Sequence, residues 1–284
     1  MPITDTPLRY PGGKSQLTPT IIEILGRNNL FSGEYAEPFA GGAGIAMTLL
    51  LNGYVSKIYL NDIDTAIYSF WYSVLHHTEE LCQLIQDHPV NVEEWQKQRA
   101  IFINADRKDV LAKGFSTLFL NRTNRSGILR GGVIGGLNQD GNFKIDCRFN
   151  RKDLIRKIKR IALHNEVIDL HCLDAVAFVE NIIPTTSQHT LVNLDPPYYK
   201  KGPELYTNFY QHQDHVDLAK AVFNVKRPWI VTYDDTPEIR NLYKKYRKYA
   251  SSLNYSVQTK RTGIELLVAS NSVEVPSHLN YCII

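Results

Sequence analysis

The sequence predicts an α/β protein whose strand-forming segments are parted by a long, mostly helical insertion. Short apolar runs with strand character lie at 35–37, 57–61, 166–170, 190–194, 228–233 and 264–269, and helical periodicity fills many of the gaps between them. The middle of the chain, roughly 66–162, contains no convincing strand. At 284 residues, 43% hydrophobic and 21% charged, the chain can bury the core of one large domain carrying an insertion.

Each element has a local cause. The run at 35–37 passes into a glycine-rich turn. Ile45, Ala46, Leu49 and Leu50 then fall at helical spacing, with Gly53 placed to end the helix. The run at 57–61 leads into the acids of NDID. The insertion opens with the aromatic-rich IYSFWYSVL and closes with NRKDLIRKIKRIALH, where Asn150 is an N-cap and Asp153 the third helical residue. In that last helix Leu154, Ile155, Ile158, Ile161 and Ala162 form the apolar stripe. Arg151, Lys152, Arg156, Lys157 and Arg160 point elsewhere. TNFYQHQDHVDLAKAVF reads as a loop and then a helix capped by Asp214, and Trp229 with IVTY as core strand. The expected division is 1–65 with 163–284 for the α/β unit and 66–162 for the insertion.

Composition excludes several classes. Lys and Arg number 32 against 29 Asp and Glu, so a wholly basic binder is ruled out. The charge is unevenly spread, however. Residues 122–160 hold eleven Lys/Arg against three Asp, which suits a surface that meets phosphates, while 62–106 hold eight acids against two bases. A second basic run at 240–248 fits a solvated helix face equally well. No apolar run reaches membrane-span length, and the first residues lack a signal-peptide core. Cys82, Cys147, Cys172 and Cys282 show neither CxxC spacing nor disulfide-scaffold density, so a reduced, intracellular protein is expected. The histidines have no metal-ligand spacing, and no metal is expected. No cysteine follows a proline as a nucleophile for covalent attack on a ring carbon would.

Three motifs carry the chemistry. In LVNLDPPYY, Leu191, Val192 and Leu194 end a buried strand and the prolines stop it. Asp195 therefore stands at a strand's carboxyl end, where open α/β sheets bind ligands. Pro196 and Pro197 stiffen the turn, and Tyr198 offers a flat aromatic face. The Asp195 carboxylate and the Pro196 carbonyl can each accept one N–H of an exocyclic amine on a planar base. In EPFAGGAG, Gly41, Gly42 and Gly44 let a ligand approach a helix N-terminus, with Glu37 and Phe39 beside it. Asp62, 20 residues after Gly42, is placed to hold ribose hydroxyls, with Asp64 as the competing acid. The glycines do not match G-x-G-x-x-G, which disfavours a nicotinamide cofactor. In LRYPGGKSQL, Lys14 can pair with a small carboxylate and Tyr10 can stack beside it. Leu8 stands where a P-loop needs glycine, so an NTPase is disfavoured.

These motifs, in this order, resemble the Dam-type (α group) family of N6-adenine-specific DNA methyltransferases over nearly the whole chain. The resemblance implies a Rossmann-like S-adenosylmethionine-dependent methyltransferase sheet with an inserted, mostly helical DNA-recognition domain. It implies S-adenosyl-L-methionine held by Tyr10, Lys14, Glu37, Phe39, Gly41, Gly42, Gly44, Asp62, Asp174 and Asp195. Asp195, Pro196, Pro197 and Tyr198 become the catalytic motif acting on an adenine flipped out of double-stranded DNA. FLNRTNRSGILRGG resembles the start of the DNA-contacting part and brings in Arg122, Asn124, Arg125 and Arg130; the charged helix adds Arg151, Lys152, Arg156 and Lys157. Arg125 and Ser126 stand where GATC-specific relatives carry tyrosine and asparagine, so GATC recognition is not carried over. The implied setting is cytoplasmic, bacterial or phage-encoded, with room for a restriction endonuclease partner. The rival readings are N4-cytosine methylation, an RNA or protein-amide methyltransferase of the same fold, and a catalytically silent DNA-binding relative.

Overall fold

The computed structural model describes residues 5–9, 15–104, 109–200, 210–257, 259–276 and 282–283. Its strands form one eight-stranded sheet in the order β3-β2-β1-β4-β5-β7-β6-β8. The strands are β1 (Glu34–Glu37), β2 (Lys57–Asn61), β3 (Ile168–His171), β4 (Thr190–Leu194), β5 (Trp229–Asp234), β6 (Arg247–Val257), β7 (Thr259–Ala269) and β8 (Cys282–Ile283). The pairs β3–β2, β2–β1, β1–β4 and β4–β5 are parallel. An antiparallel β6–β7 hairpin then adds its second strand against β5.

The central strands β2, β4 and β5 read as largely apolar runs because both faces are covered. On one face Tyr35, Ile58, Leu60, Leu191, Ile230 and Leu267 join the helices α1 (Thr18–Arg27), α2 (Gly44–Leu51) and α3 (Thr65–His76). On the other, Ala36, Val192, Leu194, Val231 and Tyr233 meet α8 (Ala175–Asn181), α9 (His212–Phe223) and α10 (Pro237–Leu242). Between β2 and β3 run α3 and four further helices: α4 (Thr78–Asp87), α5 (Val92–Asn104), α6 (Val110–Thr123) and α7 (Arg151–Ala162). Their apolar interior, with Trp95, Phe115, Phe119 and Ile158, is continuous with the core on the first face. The N-cap expected for α7 is observed, the Asn150 side chain accepting from the Asp153 N–H at 3.1 Å.

Three expectations need correction. The strand expected at 166–170 starts at Ile168, because 165–167 close a 3-10 turn. The helix expected to be capped by Asp214 starts earlier. Gln211 is the N-cap, and Asp214 is the third helical residue, its carboxylate accepting from the Gln211 N–H at 2.7 Å. The basic run at 240–248 is not one helix face: α10 ends at Leu242 and Arg247 opens β6, a strand absent from the sequence reading.

Candidate active site

The sheet order reverses direction between β1 and β4, and the crevice outside the carboxyl ends of the strands is where such sheets bind ligands. The acids of the sequence motifs converge there. Glu37 ends β1, Asp62 follows β2, Asp174 follows β3 and Asp195 follows β4. Asn61, 1% exposed, ties three of these strand ends together. Its amide donates to the Pro38 and Leu173 carbonyls at 3.0 Å each and accepts from the Leu173 N–H at 2.9 Å.

The glycine turn is held in an unusual backbone shape. Gly41 (φ +46°) and Ala43 (φ +45°) both lie in the left-handed region, which costs a non-glycine residue about 1 kcal/mol. Three contacts fix the turn: the buried Trp71 indole N–H donates to the Gly41 carbonyl at 2.9 Å, the Thr6 hydroxyl donates to the Gly42 carbonyl, and the Gly41 N–H donates to Asp62 at 2.9 Å. Gly44 then opens α2, whose N-cap Ala43 has no side-chain acceptor to offer.

Glu37 is buried beneath this turn. It accepts from the Tyr35 hydroxyl at 3.1 Å, and Tyr35 in turn accepts from the Asn193 amide at 2.7 Å. Burial pushes the Glu37 carboxyl up to about 8, with the Asp195 charge adding to the rise and the Tyr35 hydroxyl and Ala46 N–H opposing it. Asp62 is likewise pushed up to about 7 by burial, with Asp64 adding to it, although the Asp64 and Gly41 N–H groups favour its charged form. Asp64 itself is the N-cap of α3, accepting from the Ala66 N–H at 2.8 Å. Asp174 caps α8 through the Val176 and Ala177 N–H groups and is exposed. Phe39 meets the ring of Tyr210 edge-on at 5.9 Å. Burial is the main cause that raises the Tyr210 hydroxyl, with the charges of Asp174, Asp214 and Asp62 adding to the rise. Tyr10 and Lys14 lie outside the described residues.

The Asp195–Tyr198 turn has no regular secondary structure, yet polar side chains from the two neighbouring strands pin it. Thr232 on β5 donates to Asp195 at 3.2 Å. Asp234, which ends β5, accepts from the Tyr199 and Lys200 N–H groups at 2.7 and 3.0 Å. The Tyr198 hydroxyl donates to Glu265 on β7. Pro196 is buried, Pro197 and Asp195 are half-buried, and Tyr198 is 5% exposed. Sequence reasoning missed Thr232 and Glu265, which sit in runs read only as strand, and Asp234, which falls one residue beyond the run expected at 228–233.

The basic candidates separate into two groups. Arg125, Arg130, Lys152 and Arg156 are exposed, Arg156 bonding Asp153 at 2.6 Å. The others make hydrogen bonds or ion pairs within the fold. Asn124 is fully buried, accepts from the Trp95 indole at 2.7 Å and donates to the Ile128 and Leu129 carbonyls. Arg151 donates to the Ile85 and His88 carbonyls at 3.0 and 2.7 Å, which ties α7 to the end of α4. Lys157 lies on the buried face of α7, 8% exposed and paired with Asp153 at 3.1 Å. Arg122 donates to the Pro7 carbonyl at 2.7 Å, and burial together with Arg9 pushes it down to about 10. Arg151→Ala should therefore cost about 1.5–3 kcal/mol of stability while leaving the salt dependence of DNA affinity unchanged. A melting curve beside a salt titration checks both halves.

A groove of about 650 Å³ between α5 and the 125–137 segment, reached by Arg99, Arg125 and Leu137, stands apart from the strand-end crevice. Among the described residues no His, Cys, Asp and Glu group is arranged to hold a metal, and no helix is long and apolar enough to cross a membrane.

No curated protein matches the chain. The rRNA methyltransferase AviRa of Streptomyces viridochromogenes aligns over 93% of this chain and 87% of its own, at 12% identity and a TM-score of 0.38. Protein LPL1258 of Legionella pneumophila aligns over 88% of this chain and 81% of its own, at 13% identity and a TM-score of 0.34. Residues 10–261 match the family model for D12 class N6 adenine-specific DNA methyltransferases. The match takes in the glycine turn, all four strand-end acids and the whole helical insertion. The chain belongs to that family, and is a DNA adenine methyltransferase built on a Rossmann-like sheet.

Proposed function

We propose that this enzyme transfers a methyl group from S-adenosyl-L-methionine to the N6 amine of an adenine rotated out of duplex DNA at a specific site. The observation that carries the reading is the convergence of Glu37, Asp62 and Asp195 at the switch point, with Asp195 held by Thr232 next to a buried, polar-pinned tyrosine. The residues fit the cofactor. A buried carboxylate such as Glu37 suits its ammonium, Asp62 retains lone pairs for ribose hydroxyls beyond the two N–H groups it already accepts, and Asp174, which caps α8 just after β3, stands at the same strand-end edge. When bound, the cofactor supplies an electrophilic methyl group on sulfonium.

The chain's own residues do the rest. Asp195 and the Pro196 carbonyl each accept one N6–H, which turns the nitrogen lone pair out of conjugation with the ring and aims it. Tyr198 supports the base. With the cofactor bound, the N6 lone pair would attack the methyl carbon as that carbon's bond to sulfur breaks, the bonding pair staying on sulfur as a neutral thioether, and one N6 proton would then leave to the carboxylate or to water. Rate comes from positioning and from negative charge preset beside a nitrogen that becomes positive. Residues 66–162 act as the target-recognition domain, with a restriction endonuclease an optional partner. The free thiols of Cys82 and Cys147 suit a bacterial or phage-infected cytoplasm.

Expression in a host without adenine methylation, followed by modified-base sequencing, tests the reading: N6-methyladenine at one motif is expected, and N4-methylcytosine or unmodified DNA overturns it. The same assay separates the roles of the exposed basic residues. Arg130→Ala should relax the motif at one position, since a bidentate arginine–guanine contact carries about 1–3 kcal/mol of discrimination. Lys152→Ala and Arg156→Ala should weaken binding to all DNA alike, flattening the salt slope by roughly 0.9 for each phosphate no longer neutralised. A motif altered by the helix variants, or untouched by Arg130→Ala, contradicts the assignment.

A further inference from the structure

We infer that Glu265 is a positioning residue for methyl transfer, acting through the hydroxyl of Tyr198. The inference rests on the proposed role of Tyr198 beside the target base. Because β7 runs antiparallel to β5, the early part of β7 lies at the carboxyl edge of the parallel strands, beside the site. Glu265 is 3% exposed there, and the four residues that follow it, Leu266 to Ala269, are all buried and apolar. It also stands directly across the ladder from Asp234. Two acids facing each other on adjacent strands repel, and a nearly covered carboxylate loses hydration, so local stability alone argues against an acid at this position.

The two carboxylates are put to use on the same turn. Asp234 receives the Tyr199 and Lys200 N–H groups, and Glu265 receives the Tyr198 hydroxyl. Thr232 on Asp195 adds a further anchor from β5. Tyr198 is thus fixed at both ends: its backbone by the proline turn, its hydroxyl by Glu265. The ring cannot swing about its Cα–Cβ bond without giving up a charge-assisted hydrogen bond. A ring held in this way sets where the base lies relative to Asp195, and displacements near 1 Å cost about 10²-fold in rate.

The experiment compares Glu265→Ala, Glu265→Gln, Tyr198→Phe and the Glu265→Ala/Tyr198→Phe double variant in the full chain. Each is assayed for methyl transfer to a duplex bearing the target motif and for binding to the same duplex with 2-aminopurine in place of the target adenine. Glu265→Ala and Tyr198→Phe should each lower kcat tenfold or more and leave KM for S-adenosylmethionine within twofold. Glu265→Gln, which keeps an acceptor oxygen, should stay within about threefold of wild type. The double variant should be no slower than either single one, because both remove the same bond. 2-Aminopurine emission should rise with Glu265→Ala and Tyr198→Phe, as the loosened ring quenches the base less, and not with Glu265→Gln.

Wild-type kcat in Tyr198→Phe overturns the inference, and does so even if Glu265→Ala does not fold. So does a Gln variant no better than the Ala variant, or a Glu265→Ala loss carried by KM for the cofactor. Failure of the wild-type enzyme to methylate adenine would instead strike the proposed function, so the two are told apart.

Discussion

Replacing Asp195 with alanine should reduce methyl transfer by about 10²–10³ while the protein stays folded. Its Oδ1 accepts from the Thr232 hydroxyl, so wild type presents the carboxylate in one orientation at the end of β4. Alanine removes the acceptor for an N6–H and the negative charge that faces the nitrogen as it turns positive. Stability should hardly fall, because the lost Thr232 bond is partly offset by the removal of a charge that raises Glu37. Asp195→Asn keeps an acceptor oxygen for the amine and loses only the charge, so it should retain more activity than Asp195→Ala. Tritium transfer from labelled cofactor, read beside melting temperature, measures both. Rates within a few-fold of wild type in Asp195→Ala would remove Asp195 from the catalytic step.

The contrast between Asp195 and Glu265 shows what was legible in the sequence. Asp195 announces itself locally, through an apolar run, an acid and two prolines in succession, and the same holds for Glu37 and the glycine turn. The central parallel strands were equally readable, because burial on both faces makes β2, β4 and β5 short, largely apolar runs. β6 was not readable. It opens with Arg247 and Lys248, carries Ser251, Ser252 and Asn254, and owes its strand state to full-length pairing with β7. Glu265 was missed for a related reason, since its partner lies 67 residues away and only the antiparallel turn of β7 brings the two together. The internal ties of the basic segment were not legible either. The sequence reading set Arg151 and Lys157 off the apolar stripe of α7, but Arg151 reaches the end of α4 and Lys157 lies on the helix's buried face, paired with Asp153, and composition carries no record of that cover. Asn124 reads as a surface residue in NRTNRSG until the Trp95 indole is seen to need it.

Glu37→Gln should stabilise the unliganded protein at pH 8 and cost it the cofactor. Burial, aided by Asp195, holds the folded Glu37 carboxyl near 8, well above the usual range near 4.5. The folded state therefore keeps a proton that the unfolded chain has lost, over the window from about pH 4.5 to about pH 8. Stability must fall as pH rises through that window, by up to about 1.4 kcal/mol per unit for this one group. Above pH 8 the folded protein carries the buried charge and the loss is complete. Asp62, pushed up to about 7, acts in the same sense, so the informative quantity is the difference between wild type and Glu37→Gln. That difference should be small at pH 5 and favour the variant at pH 8. A bound ammonium group reverses the balance, because it favours the ionised carboxylate. Cofactor binding near pH 7 should then release more protons from wild type than from Glu37→Gln, in which only Asp62 still titrates at the site, and wild-type affinity should strengthen as pH rises toward 8. The variant should bind S-adenosylmethionine roughly 10- to 100-fold more weakly, the value of a hydrogen bond to a charged group. Calorimetry in two buffers of different ionisation enthalpy counts the proton, and denaturation at pH 5 and pH 8 reads the stability difference. Equal proton counts in the two proteins, or a variant less stable than wild type at pH 8, would move the ammonium site away from Glu37.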